Sequence, residues 1–197
     1  QTKEVGIKPT PSIGGVGLIK DYTKMISMDL KEVDNLVLII GKTEGHIDQS
    51  LFARTILDEK NGPPPEVNLF NEKNNGESIL DLIDNGYVKS AHDISLGGLL
   101  VAISKMCIKG NKGIKISKSK NLINEIEYFF AEDQGRYLIE VNKDDLKEVT
   151  KILNKNSVHH EELGIIIQND MIINEKTKVT IDELKSYYTN WLSKYMS

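Results

Sequence analysis

Leu36-Val37-Leu38-Ile39-Ile40 is an unbroken run of five large aliphatic residues, closed by Asp34-Asn35 on one side and Gly41 on the other. A strand apolar on both faces needs cover on both sides, so this run predicts a fully buried strand inside a layered domain. The rest of the 197-residue chain supplies enough material for such a core. Strand-like and helix-like segments alternate along it without a strict βαβ rhythm. The expected fold class is therefore α/β (α+β): a mixed β-sheet with helices on its faces.

Residues 1–12 read as an extended, polar lead-in around Pro9 and Pro11, and Ile13 to Ile19 as a strand with small residues. A charged connection covers 20–35, and composition shifts most at 28–35, where a boundary is expected. After the buried run, Gly41 to Asp48 is a polar loop containing His46. A helix with Leu51, Phe52, Ile56 and Leu57 on one face then runs into Gly62-Pro63-Pro64-Pro65. A second helical region, about 66–84, is expected in two pieces around Asn74-Asn75-Gly76. Tyr87 to Ala91 reads as a strand. The helix after it carries Leu99, Leu100, Ile103 and Met106 at helical spacing and ends at Gly110. A strand at Ile114–Ser117, a short helix at 121–130, a strand at Tyr137–Val141 and a helix near 143–154 follow. Glu162–Ile167 and Met171–Ile173 read as a hairpin about Asn169-Asp170. A last helix is expected from a cap at Asp182 through Trp191 and Leu192.

Two loops carry chemistry. The first is Ala91-His92-Asp93-Ile94-Ser95-Leu96-Gly97-Gly98, a strand-to-helix turn whose free N–H groups sit at the positive end of a helix dipole. It suits a phosphate or carboxylate; equally, Asp93 or Ser95 caps the helix and the glycines allow close packing. The second is Glu132-Asp133-Gln134-Gly135-Arg136-Tyr137. Its acids either hold a metal-bridged phosphate or an amide-bearing substrate, or pair with Arg136 and cap local N–H groups. Asp93, Glu132 and Asp133 are the metal candidates. His46 and His159-His160 lack spaced partners, Arg54 is expected on the surface, and Cys107, the single cysteine, is expected as a buried, inert thiol. The chain has no nucleophile elbow, P-loop or dinucleotide fingerprint. A net charge of −4 argues against nucleic acid, and no apolar run or signal peptide points to a membrane, so the expected compartment is the cytoplasm.

Three motifs resemble one family. Pro9-Thr10-Pro11-Ser12-Ile13-Gly14-Gly15-Val16-Gly17-Leu18-Ile19 is similar to the Pro-Thr-Pro-x-Ile-Gly-x-Val-Gly-Leu-Ile segment of the formylglycinamidine ribonucleotide synthetase (phosphoribosylformylglycinamidine synthase) family. Ala91 to Leu99 resembles its Ala-His-Asp-Ile-Ser-Asp-Gly-Gly-Leu, with Leu96 where aspartate is usual. Glu132 to Tyr137 resembles its Glu-Asp-Gln-Gly-Arg-Tyr. The resemblance implies an ATP- and magnesium-dependent C–N ligase of purine biosynthesis. It converts formylglycinamide ribonucleotide, ATP and ammonia to formylglycinamidine ribonucleotide. Residues 1–30 would then be the terminal strand and linker of a preceding ATPase-type domain. Residues 31–197 would be the C-terminal domain, shared in fold with aminoimidazole ribonucleotide synthetase.

The same resemblance places the catalytic histidine, the ATP-binding lysine and a Gly-Asn-Val-Ser loop upstream, so no catalytic residue and no tightly bound cofactor are expected here. His92, Asp93, Ser95, Gly97, Gly98, Gln134 and Arg136 would line a substrate or pseudo-symmetric anion site. The chain begins Gln1-Thr2-Lys3 without methionine, which suggests a fragment. Its end at Ser197 without a glutaminase domain resembles the small bacterial form. That form's partners are the upstream half of the enzyme, a separate glutaminase subunit and a small third subunit. The alternatives are a paralogous ATP-dependent synthetase of the superfamily and a non-catalytic binding module. Three structural expectations follow. The two loops meet at one end of the sheet, the helix start at Leu96–Gly98 is open to an anion, and Ile13–Ile19 pairs with a second copy or is left poorly ordered.

Overall fold

The structure, a computed structural model, describes residues 11–117 and 124–196. The lead-in at 1–10 and the first residues of the helix expected at 121–130 lie outside the described residues. The elements are β1 (Leu36–Ile40), α1 (Leu51–Thr55), α2 (Leu69–Asp84), β2 (Val88–Asp93), α3 (Gly98–Gly110) and β3 (Gly113–Ile116). They continue with α4 (Glu125–Phe130), β4 (Tyr137–Val141), α5 (Leu146–Lys155), β5 (His160–Ile167), β6 (Met171–Ile173), β7 (Thr177–Val179) and α6 (Ile181–Met196). The seven strands form one mixed sheet in the order β2-β4-β1-β5-β3-β6-β7.

The aliphatic run takes the place its composition demands. β1 lies between β4 and β5, antiparallel to both, with all five residues buried. Val37 and Ile39 point into a core shared with α3, α4 and the start of α6, while Leu36, Leu38 and Ile40 point into a second core under α2 and α5. Two helices bury apolar stripes at helical spacing: Leu99, Ala102, Ile103, Met106 and Cys107 on α3, Val149 and Leu153 on α5. α1 is one short turn and a half, capped by Ser50 and clamped by a Phe52–Phe130 ring stack at 4.7 Å. Ile56 and Leu57, expected on its inner face, are exposed beyond its end.

The approach to β1 is tied down by Glu140 of β4, a wholly buried carboxylate with every lone pair answered. It accepts from the Lys31 and Glu32 amides, from Asn35 Nδ2 and from the Ser90 hydroxyl, at 2.7–3.0 Å. Leu30 is therefore a core residue, and Ser27 bridges to Ser90 on β2. Ile13 to Ile19, expected as a strand, forms no strand here, and residues 11–19 are exposed throughout. A lone apolar strand needs a ladder to join, and none of the seven strands pairs with it.

Three further expectations change. α2 is one continuous helix, because Asn74 and Asn75 are not breakers here: their amide groups donate to Asn156 O (2.7 Å) and Gly135 O (2.9 Å). β5 and β6 are not a hairpin, since β3 lies between them, antiparallel to β5 and parallel to β6. The hairpin is instead β6–β7, turning at Asn174-Glu175 with both residues at positive φ. Finally, Thr180 rather than Asp182 caps α6, its hydroxyl accepting from the Glu183 amide at 3.1 Å.

Candidate functional site

The two chemical loops do meet. Asp93, the last residue of β2, sits opposite Tyr137 of β4, and the Ile94 amide donates to Arg136 O at 2.9 Å. Between them Gly97 and Gly98 turn at positive φ into α3. A Cβ at Gly98 would collide with the backbone of Phe129, Phe130 and Ala131, so this glycine is what lets the second loop approach the helix start. The N–H groups at these helix starts are met by one of the protein's own carboxylates. Glu132 Oε1 accepts from Gly97 N at 2.8 Å and from Leu51 N at 2.7 Å, joining the starts of α3 and α1 in one carboxylate. Gly98 N donates to Ser95 O at 2.9 Å. Gly97 and Gly98 are buried, not open to solvent as expected, while Ser95 and Leu96 beside them are exposed.

The other members of the Glu-Asp-Gln-Gly-Arg motif divide in the same way. Asp133 is buried and accepts three backbone N–H groups, from Glu44, Gly45 and His46, at 3.0–3.1 Å, which shapes the loop after β1. Arg136 is 1% exposed. Its Nη2 donates to Ala131 O (2.6 Å), Nη1 to Thr43 Oγ1 (3.1 Å) and Nε to Asp133 O (3.3 Å), with the Asp133 carboxylate 3.8 Å away. Burial pushes the guanidinium's pKa down and Asp133, foremost among the nearby acids, opposes it. Expected as an anion ligand, Arg136 points inward and serves as the brace of its own loop. Gln134 is exposed.

His92, Asp93 and Ser95 form a small cluster beside this frame. His92 Nδ1 lies 3.1 Å from Asp93 Oδ1, while Nε2 is buried and has no hydrogen-bond partner among the described residues. Burial lowers the imidazole pKa against the pull of Asp93. Burial also tends to raise the Asp93 carboxyl, but the Ser95 hydroxyl and His92 outweigh it and leave the group below its usual range. Glu132 and Asp133 are taken by N–H groups, and among the described residues no group of three or more His, Cys, Asp or Glu could hold a metal ion. His46 Nε2 faces Pro63 O and His160 Nδ1 faces Val158 O, both at 3.0 Å. Burial pushes the Cys107 thiol up to about 12, so it is inert as expected.

A cleft of about 390 Å³ opens where the β1–α1 loop, the start of α2 and the 133–135 turn converge. Lys42, Glu44, His46, Asn68, Asn71, Glu72, Asn75 and Gln134 line it. Of the residues singled out as anion ligands, only Gln134 faces this space.

The family model described as AIR synthase related protein, C-terminal domain, matches residues 32–173. The chain belongs to this family. It is also 67% identical, over its whole length, to the phosphoribosylformylglycinamidine synthase subunit PurL of Pelagibacter ubique (strain HTCC1062), and spans 27% of that protein. Structures of Thermotoga maritima PurL share the fold. The one complexed with FGAR superposes with a TM-score of 0.68 at 19% identity, over 82% of this chain and 29% of that one. The one complexed with ATP gives 0.63 at 17%, over 82% and 27%. That of PurLQS gives 0.62 at 20%, over 82% and 28%.

In this AIR synthase related C-terminal domain a hydrogen-bonded frame adjoins a polar cleft. Amides, carboxylates, one imidazole and one lysine can bind hydroxyls, amides and amines by hydrogen bonds. The residues of α2 in the cleft were missed by sequence reasoning. The signal was the pair Asn74-Asn75, read as a helix break, although two asparagines within a helix that keeps its apolar stripe at Ile79 and Leu82 ask for partners elsewhere. No helix among the described residues is long and apolar enough to cross a membrane.

Proposed function

We propose that this chain is the C-terminal α/β domain of a PurL-type phosphoribosylformylglycinamidine synthase. In that reaction ATP phosphorylates the amide oxygen of formylglycinamide ribonucleotide, and ammonia displaces the phosphorylated oxygen. The observation that carries the reading is the 67% identity to Pelagibacter ubique PurL across all of this chain. Complexes of the Thermotoga maritima protein with FGAR and ATP support the substrate assignment, and its occurrence as PurLQS is in keeping with the glutaminase and small-subunit partners that the family resemblance implies.

Within this reading the chain contributes no catalytic residue. Gly97, Gly98, Glu132, Asp133 and Arg136 build the frame. His92, Asp93, Ser95 and Gln134 are the polar groups it holds toward ligand or toward the upstream half. Magnesium and ATP belong to the intact enzyme. The engaged carboxylates Glu132 and Asp133 do not suit a metal. Residues 1–30 lead in from the preceding domain.

The test assays the full-length polypeptide that carries this chain for ATP- and ammonia-dependent conversion of formylglycinamide ribonucleotide, beside the 197-residue chain alone. Turnover by the first and none by the second is the expected result. Turnover by the chain alone, lost on changing Asp93 or Glu132, would overturn the assignment.

A further inference from the structure

An asparagine followed by glycine exposes its side-chain amide to attack by the next backbone nitrogen, because glycine has no Cβ to shield that nitrogen. The chain has three such pairs, Asn61-Gly62, Asn75-Gly76 and Asn85-Gly86. The fold disarms two of them. Asn75 is buried within α2, where the helical backbone turns the Gly76 nitrogen away from the side-chain carbon, and its Nδ2 donates to Gly135 O at 2.9 Å. Asn85 closes the end of α2 at a ψ of −1°, equally wrong for attack. Its Nδ2 donates to Asp81 O (2.8 Å) and Asp81 Oδ1 (3.1 Å), and the Gly86 amide donates to Ile83 O at 2.9 Å. Asn61-Gly62 differs. It lies exposed in the loop between α1 and α2, where Gln49 Nε2 holds the backbone by donating to Lys60 O at 2.9 Å and Gly62 O at 3.1 Å. Those bonds leave the reacting groups alone: among the described residues neither the Asn61 side chain nor the Gly62 amide is hydrogen-bonded. The fold also requires this glycine, since its φ is +99° and a Cβ there would collide with the Asp48 carboxylate.

We propose that Asn61 is a site of spontaneous deamidation. The Gly62 nitrogen gives up its proton and attacks Asn61 Cγ. The new C–N bond closes a cyclic succinimide, and the side-chain amide nitrogen takes up a proton and leaves as ammonia. Water then adds to either ring carbonyl and opens the ring to aspartate or isoaspartate, so the net change is amide plus water to carboxyl plus ammonia. Either product brings a new carboxylate within one residue of the contact with Asp48. The iso form also inserts a methylene into a backbone that Gln49 clamps on both sides. Pro63 O meets His46 Nε2 at 3.0 Å, and Pro65 and Glu66 line the polar cleft, so loosening this loop loosens one wall of the cleft.

The test ages the full-length polypeptide that carries this chain in warm, mildly alkaline buffer and maps its peptides by mass and by isoaspartyl methylation. The native protein should convert at Asn61 at least about tenfold faster than at Asn75 or Asn85, which react only when α2 or its end opens. Unfolding in guanidinium should bring the three rates together. Asn61→Gln, whose side chain would have to close a larger and slower ring, should lose the conversion. Hydrogen exchange of residues 58–66 should quicken with ageing in the parent and not in Asn61→Gln. An Asn61 that keeps its amide in the native protein, a preference for Asn61 that survives unfolding, or a converted loop that exchanges as before, would overturn the proposal.

Discussion

A guanidinium with 1% of its surface exposed is tolerable only where oxygens meet its N–H groups, and Arg136 meets three protein oxygens and a carboxylate. Arg136→Ala should therefore destabilise the domain by about 3–5 kcal/mol, because Asp133 is left buried without its counter-charge. Arg136→Lys should recover little, since an ammonium cannot reproduce the planar fork. Urea midpoints of the three proteins decide the matter, and an Arg136→Ala chain as stable as the parent would refute the bracing role. His92 gives a pH-dependent prediction. Burial depresses its pKa below the ordinary 6.5, so below that value the unfolded chain binds more protons than the folded one. This contribution is whole above pH 6.5 and is lost as pH falls through the folded value. His92→Gln should flatten the decline in the urea midpoint between about pH 7.5 and 5. The sequence could mark Glu132 to Arg136 as charged chemistry without saying which way it faces. The N–H groups that answer the acids come from Leu51, Gly97 and the 44–46 loop, 35 to 89 residues away, and local spacing carries no trace of them.

At the level of elements, the glycine that opens β3 decides the topology. A Cβ at Gly113 would strike the carbonyl oxygens of Asn169 and Asp170, the turn that carries the chain over β3 to β6. Gly113→Ala should cost about 1–3 kcal/mol or more, as overpacking against backbone does, and thermal unfolding followed by circular dichroism measures it. Glu132 acts between elements: Glu132→Ala strips an acceptor from the first turn of α1 and from the N-cap of α3, a loss of about 1–3 kcal/mol. Glu132→Gln, which keeps an oxygen, should restore part of it in the same measurement. β1, α3 and α5 were legible because their burial is local, an unbroken apolar run in β1 and a helical period in α3 and α5. The β5–β6 hairpin was misread because Asn169-Asp170 is good turn chemistry for either connection, and only the insertion of β3 chooses between them. The β6–β7 hairpin went unseen because β7, Thr177-Lys178-Val179, is short and mostly exposed.

For the whole molecule, the sheet order concentrates protection at its middle. β1 has a hydrogen-bonded neighbour on each side and a core on each face. Hydrogen exchange followed by mass spectrometry should find Leu36–Ile40 the slowest amides and residues 11–19 among the fastest. Finding β1 faster than the edge strand β7 would contradict this packing. Family membership was legible at this scale because three motifs spread along the chain agree, whereas the cleft was not, being assembled from segments whose contacts only folding makes. Centrality has a consequence in time. β1 is made first among the strands, yet its partners, β4 and β5, lie roughly a hundred residues or more downstream, which at synthesis rates of about 5–20 residues per second is a wait of roughly 5–20 s. For those seconds the strand destined to be most deeply enclosed is an apolar run without its partner strands, and whatever shields nascent chains has a task there.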